Sequence, residues 1–337
     1  MIIISDCLKD EADEGAIKIT SKLARILKGR GKASIYQLNR ECSFSDKAYT
    51  VGKLGIPKEL IKDTKKEDGN ILYIPKGSIT YAICLKTLIL SKKAKKRVFL
   101  LPVLRRPVNT IMKRMLKWSK VGIIALSNES YKSYKEQLKN DVYYIRAGVD
   151  TSQFQEIDLE KKEKLREKYS FDKNEKVLLH VGHMVEARNL RKFLNIDKKY
   201  HVVLVISTST RWDQELYDDL AKCENITIIH EYLPNIEEMY QLADVYVFQV
   251  ERDGCIDVPL SCLEAASCGI PVVTTQFGEL KALDGSDSFV FIKDFKDINS
   301  LIEKALKADG HFNREMALKY EWELAADSIT EIVEEKK

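Results

Sequence analysis

Asp257-Val258-Pro259-Leu260-Ser261-Cys262-Leu263-Glu264-Ala265-Ala266-Ser267-Cys268-Gly269-Ile270-Pro271-Val272-Val273 reads as a loop, a short helix and a buried strand in immediate succession. Pro259 suits a first helical turn, where its missing N–H costs nothing. Gly269 suits the residue just past the last turn, and Pro271 bars continuation. The spacing predicts a helix of about ten residues, its N-terminus aimed at whatever lies beside the loop Glu251 to Asp257. A helix start offers unpaired N–H groups and a positive dipole end to an anion such as a phosphate, so Leu260 and Ser261 are candidate substrate contacts. Glu264, a turn further in, can accept hydrogen bonds from a sugar hydroxyl. A plain βαβ crossover whose Glu264 pairs locally would carry the same pattern.

The same rhythm runs along the chain. Apolar bursts alternate with helical periodicity: strand Ile2–Ser5, helix Gly15–Leu27, strand Ala33–Leu38, strand Ile71–Ile74, helix Ile79–Leu90, strand Val98–Leu101, helix Val108–Lys117 and strand Gly122–Leu126. A second series follows Phe154, with strands at Val177–Val181, His201–Ile206, Ile226–Ile229, Val245–Phe248 and Pro271–Thr274. Helices are expected between them at Leu159–Tyr169, Asn189–Asn195, Trp212–Lys222, Ile236–Leu242 and Leu260–Ser267. With 337 residues, two doubly wound α/β domains are expected, residues 1–150 and 151–337. Ligands of such sheets bind beyond the carboxyl ends of the strands. The periodicity also predicts one terminal helix from Asn313 to Glu335, packed either across the domain junction or on the second domain alone.

A composition of 45% hydrophobic and 31% charged residues is that of an ordinary soluble globular protein. The net charge of +4 is too small to indicate a nucleic-acid binder. Seven scattered cysteines without a C-x-x-C pair suit reduced thiols and a cytoplasmic setting. Met1–Ser5 is too short for a signal peptide, and the longest apolar run, Ile79 to Leu90, is interrupted by Lys86, which excludes a membrane-spanning helix.

Several segments together resemble the GT-B glycosyltransferases, and within them the retaining family 4, the glycosyl transferases group 1. Arg146-Ala147-Gly148-Val149-Asp150 through Phe154 resembles the family's interdomain P-N-G-V-D signature. Leu179-His180-Val181-Gly182-His183-Met184-Val185-Glu186-Ala187-Arg188-Asn189 resembles its V-G-R-L-x-x-E-K-G loop. Leu233-Pro234-Asn235-Ile236 through Ala243-Asp244-Val245 is similar to the segment before the active-site loop, the opening stretch to P-L-x-x-L-E-A-x-A-x-G-x-P-V-V, and Tyr320-Glu321-Trp322 to the start of the last helix. The resemblance implies two Rossmann-like domains facing each other across a cleft, a nucleotide-sugar donor on the second domain and an acceptor on the first.

By that resemblance Arg188, six positions after Gly182, stands where the family has its phosphate-binding Lys, and a guanidinium grips phosphate oxygens bidentately. His183 replaces the family's Arg, and Lys192 is a reserve cation one turn on. Glu264 takes the ribose hydroxyls. The first of the family's paired glutamates falls on Ile256, so Asp257 is taken as the donor-sugar contact, with Glu251 and Asp253 as rivals. Asp257 as an N-cap before Pro259 is the competing reading. Gly254 and Gly15 allow close approach of backbone to ligand, Gly15 in a loop that meets donor phosphate and acceptor. His230 and Leu233 bracket the backbone expected to hold the base.

All five histidines lie in the second domain, so the first supplies no histidine base. That suits a retaining transfer in which the departing phosphate takes the acceptor proton. No metal-ligand spacing is present, and neither metal nor cofactor is expected. The absence of G-x-G-x-x-G after the first strand argues against a dehydrogenase.

From Gly69 to Asn128 there is no Asp or Glu but thirteen Lys and Arg, spanning Lys76 to Lys120. Within it Ile111, Met112, Met115, Leu116 and Trp118 alternate with Lys113, Arg114, Lys117 and Lys120, the pattern of a helix at an anionic membrane surface or of a crossover helix with solvated charges. The sequence is therefore read as a cytoplasmic, peripherally membrane-bound glycosyltransferase with a glycan or lipid-linked acceptor. An epimerase of the same fold and a catalytically silent nucleotide-sugar-binding subunit remain the alternatives.

Overall fold

The computed structural model describes residues 1–11, 14–208, 212–250, 256–283 and 287–334. The chain divides into two compact units. The first comprises Met1–Gly148, Ile256–Val258 and Trp322–Lys337, and the second Val149–Cys255 and Pro259–Glu321.

The first unit is built on strands β1 (Ile2–Ser5), β2 (Ser34–Leu38), β3 (Lys47–Tyr49), β4 (Ile71–Ile74), β5 (Val98–Leu100), β6 (Gly122–Ala125) and β7 (Val142–Tyr144), all parallel in the order β3-β2-β1-β4-β5-β6-β7. Its helices are α1 (Gly15–Gly29), α2 (Lys58–Lys66), α3 (Tyr81–Ala94), α4 (Thr110–Ser119) and α5 (Asn128–Gln137). The Ile-rich strands are buried on both faces, as a parallel sheet requires. Local chemistry sets the helix ends. Thr80, Asn109 and Ser127 accept the first free N–H groups of α3, α4 and α5, while Lys95 and Lys120 end α3 and α4 in the left-handed region.

The second unit repeats the plan with β8 (Lys176–Gly182), β9 (Tyr200–Ile206), β10 (Ile226–Ile229), β11 (Val245–Phe248), β12 (Val272–Thr274) and β13 (Phe289–Phe291), parallel in the order β10-β9-β8-β11-β12-β13. Its helices are α6 (Leu159–Lys168), α7 (Gln214–Ala221), α8 (Glu237–Leu242), α9 (Leu260–Ser267), α10 (Ile298–Ala305) and α11 (His311–Ala317). In both sheets strand order reverses beside the first strand, between β1 and β4 and between β8 and β11. Ligands of doubly wound folds bind at that switch point. Buried Arg166 of α6 ties the sheet to its helices by donating to Asp244 at 2.6 Å and to the carbonyl of Leu242.

Three sequence expectations are corrected. The single terminal helix from Asn313 to Glu335 is two helices, α11 and α12 (Trp322–Glu334), separated by a 3₁₀ turn at Leu318–Tyr320 and an extended Glu321. Pairing forces the break: the Val149 N–H donates to the Tyr320 carbonyl, and Thr151 donates to the Glu321 carboxylate. Asn189–Asn195 is not an α-helix but a 3₁₀ segment, Leu190–Asn195, and a separate 3₁₀ turn, Glu186–Arg188, precedes left-handed Asn189. Finally, α9 begins at Leu260 with Pro259 as its N-cap, so Asp257 does not cap it. The end of α9 forms as expected: Gly269 is left-handed, and the Ile270 N–H closes onto the Ala265 carbonyl.

The last helix, α12, belongs to the first unit. Its buried Trp322, Ala325, Ala326, Ile329 and Val333 face inward, with α1 as a packing partner. Arg30 at the end of α1 donates to Asp327 at 2.7 Å and to Glu323. Among the described residues no helix is long and apolar enough to cross a membrane.

Candidate functional site

In the second unit two elements meet the carboxyl end of the sheet beside the switch point. The first is the loop leaving β8. His180, wholly buried in that strand, donates from Nδ1 to the Val247 carbonyl at 2.9 Å, which leaves Nε2 as an unprotonated acceptor with no partner among the described residues. Burial pushes the His180 pKa down to about 4. The Val247 hydrogen bond opposes that shift, and the neighbouring charges of Arg188 and His183 reinforce it. Its ring stacks 5.8 Å from Phe248 and meets Phe193 edge-on at 5.6 Å. Gly182 lies against Nε2, so the chain turns out of the sheet where no side chain fits.

The strand end continues into a braced loop carrying His183 and Arg188. Ser207 N–H donates to the Gly182 carbonyl at 2.8 Å and Asp213 N–H to the Met184 carbonyl at 3.0 Å. Gln249 and Asn189 exchange side-chain-to-carbonyl bonds of 3.0 and 3.2 Å, which fastens the residue after Arg188 to the end of β11. Arg188 and His183 both lie close enough to buried His180 for their charges to act on it. Lys192 does not join them: left-handed Asn189 breaks the helical register, and its ammonium sits 3.6 Å above the Phe295 ring.

The second element is the start of α9. Leu260 is buried, and Ser261 hydrogen-bonds the Tyr246 side chain, whose hydroxyl donates to the Val181 carbonyl at 3.3 Å. That chain of contacts sets the helix N-terminus beside the β8 loop. One turn in, buried Glu264 accepts a 2.7 Å hydrogen bond from the wholly buried Tyr240, which meets Phe154 edge-on at 5.5 Å. Burial, then the Glu264 charge, keeps the Tyr240 hydroxyl protonated, so it is a fixed donor. At the neighbouring strand ends exposed His230 stacks on Trp212 with ring centroids 4.1 Å apart, and half-buried Leu233 follows in the β10–α8 loop.

Two further sequence candidates, Gly15 and Asp257, belong to the first unit. Asp257 lies in the first unit, where Ser127 donates to its carboxylate at 3.0 Å and Ser130 donates to the same oxygen. Its charge therefore sits at the N-terminus of α5. Ile256 packs beside Gly15: a Cβ on that glycine would come 3.0 Å from its Cδ1. Glu251, Asp253 and Gly254 lie outside the described residues. Sequence reasoning assigned no role to His180, Tyr240 or Gln249; each follows a strand or helix pattern that signals core. Among the described residues no group of three or more His, Cys, Asp or Glu could hold a metal ion.

Residues 175–308 match the family model described as glycosyl transferases group 1. No curated protein matches by sequence. Solved structures match over essentially the whole chain at low identity. A glycosyltransferase from Rickettsia africae ESF-5 aligns with TM-score 0.75 and 13% identity, covering 100% of this chain and 99% of that one. Alr3699/HepE from Anabaena, in complex with UDP, aligns with TM-score 0.76 and 15% identity, covering 98% and 99%. A UDP-forming trehalose-phosphate synthase from Burkholderia xenovorans aligns with TM-score 0.70 and 12% identity, covering 99% of each chain. Residues 175–308 thus carry a domain of the glycosyl transferases group 1 type, and the whole chain has the two-unit, doubly wound α/β fold of these solved glycosyltransferase structures.

Proposed function

We propose that the second unit holds a nucleoside diphosphate sugar at the carboxyl ends of β8 and β11, and that the sugar is transferred with retention to an acceptor bound by the first unit. The observation that carries this reading is the convergence of the Gly182–Arg188 loop and the α9 N-terminus, with buried Glu264 one turn inside. Arg188, His183 and the N–H groups of Leu260 and Ser261 are the donors for the diphosphate, where charge grows as the glycosidic bond breaks. Glu264, oriented by Tyr240, accepts from the ribose hydroxyls, and the backbone from His230 to Leu233 takes the base. The protein supplies positioning and charge stabilisation without a metal, and a donor phosphate oxygen takes the acceptor proton.

The test is a thermal-shift titration with UDP, GDP and their sugars. A ligand at 100 times its Kd adds about 2.7 kcal/mol of stability, and Arg188→Ala abolishes the diphosphate-dependent part. A shift unchanged in Arg188→Ala places the phosphate elsewhere. NMR of the glycoside product reports its anomeric configuration, and an inverted product overturns the retaining assignment.

The first unit also supports a peripheral position on an anionic membrane leaflet. In α4, Met112 and Leu116 enter the core while Ile111 and Trp118 stay 57% and 63% exposed, two turns apart on one face. Exposed Arg114, Lys117 and Lys120 surround them. That combination suits shallow insertion beside headgroups, each basic residue adding about 1 kcal/mol. Co-sedimentation with phosphatidylglycerol vesicles should fall several-fold in the Ile111→Ala, Trp118→Ala double variant. Equal sedimentation of the two proteins argues against this surface.

A further inference from the structure

The first unit carries its own cavity, of about 240 Å³, at the carboxyl ends of β1, β2 and β4, beside its switch point. Its lining includes the cations Lys9, Arg40 and Lys76, with Asp6 as the one carboxylate. Asp6 is already committed, since its carboxylate accepts the Lys76 backbone N–H. Lys76 Nζ lies 3.9 Å from Glu14, whereas Lys9 and Arg40 form no ion pair among the described residues. With Lys76 offset by Glu14, Lys9 and Arg40 against Asp6 leave a surplus of one positive charge at the cavity.

The walls are held in place. Ser5 Oγ donates to the Ile74 carbonyl at 2.8 Å, Gln37 Nε2 to the Leu8 carbonyl at 2.8 Å, and the Lys9 N–H to Ser21 Oγ at 3.0 Å. Arg40 is presented by Asn39, which is left-handed, accepts the Val51 N–H at 2.7 Å and donates its own N–H to the Tyr49 carbonyl. A rigid cradle with unspent cations and room for roughly eight waters is a site for a small dianion rather than for a neutral sugar.

We propose that this cavity binds a phosphate monoester carried by the acceptor, with Arg40 and Lys9 as the principal grips and Lys76 closing the third side. The assignment rests on the reading of the first unit as the acceptor side. Phosphates on a soluble sugar and on a lipid headgroup present the same chemistry here.

Equilibrium binding to the full chain tests it with three probes: inorganic phosphate, glucose 6-phosphate and phosphatidic acid vesicles, with glucose as the neutral control. Glucose 6-phosphate or phosphatidic acid should bind at least tenfold more tightly than glucose or a neutral vesicle, and inorganic phosphate should compete. Arg40→Gln and Lys9→Gln should each weaken that binding by roughly tenfold or more, the range for a lost charge-assisted contact. The remote Lys65→Gln should leave it unchanged. Whichever of the two carriers responds to Arg40→Gln names the source of the phosphate. If no phosphate probe depends on Arg40 or Lys9 while both variants melt like the wild type, the proposal fails. UDP binding in the same variants is the independent readout: its retention leaves the donor reading intact.

Discussion

Gly182 and His180 are fitted to each other, because a Cβ at position 182 would come 2.7 Å from the His180 Nε2 inside the sheet. The imidazole is walled by Phe193 and Phe248 and anchored through Nδ1, so it has nowhere to retreat. Gly182→Ala should therefore destabilise the protein by about 1–3 kcal/mol, seen as a lower urea midpoint, and should weaken UDP binding by displacing the loop that carries Arg188. Unchanged values for both would show that the contact relaxes freely.

The same histidine gives the protein a pH signature. Its pKa is 6.5 in the ordinary state and about 4 when folded, so between these values the unfolded chain binds the extra proton. Stability is then fully present above pH 6.5 and falls as the pH drops toward 4. Linkage places the loss at about 2 kcal/mol by pH 5. Asp244, held low by Lys162 and the Val177 N–H despite burial, acts only below its ordinary value of 3.8. Chemical denaturation at pH 7 and pH 5 should show a steep decline in the wild type and a shallower one in His180→Asn. Parallel declines would mean that another group titrates.

Glu264 separates binding from stability. Glu264→Gln keeps an oxygen to accept from Tyr240, so its melting temperature should stay near wild type while nucleotide affinity drops roughly tenfold through loss of charge-assisted contacts. Tyr240→Phe should do the reverse, costing about 1–3 kcal/mol by leaving a buried carboxylate short of a donor. Calorimetric binding and melting on the two variants check both halves. If Glu264→Gln binds UDP as tightly as the wild type, the ribose contact lies elsewhere.

Asp257 should behave as a structural anchor. Ser127 donates to it while accepting the Ser130 N–H, so Ser127→Ala removes a helix cap and a carboxylate partner together. A loss of about 2 kcal/mol is expected. Asp257→Asn should leave the KM for the donor within about twofold, since a change below 0.5 kcal/mol is the surface-substitution range. A tenfold rise in that KM would assign Asp257 a donor contact instead.

What could be read from the sequence divides along physical lines. Strongly apolar strands such as Ile71–Ile74 and Val245–Phe248, and the helix Leu260–Ser267, have the expected bounds because burial and punctuation by Pro and Gly act locally. Helices α2 and α5 escaped notice because each buries only two side chains, Leu60 with Thr64 and Ser130 with Tyr134, too few for a visible stripe. The break between α11 and α12 was illegible because Val149 and Thr151, far away in sequence, make it. Arg188 and His183 leave β8 on one loop, so their common reach to His180 is local in sequence. Asp257's partners lie 130 and 127 positions away, and no local pattern announces them.

The return of α12 to the first unit bears on synthesis. Arg30 and Asn70 bond to Asp327 and Val333, so the buried flank of α1 is covered only after residue 333 has left the ribosome. The second unit, nearly continuous in sequence, is complete once Glu321 has emerged, before α12 is available. The amino-terminal half thus waits for the carboxyl-terminal one, against the usual order of vectorial folding. Released chains truncated after Glu321 should have a protease-resistant second unit and a cleavable first, and equal resistance of both would show that α1 needs no such cover.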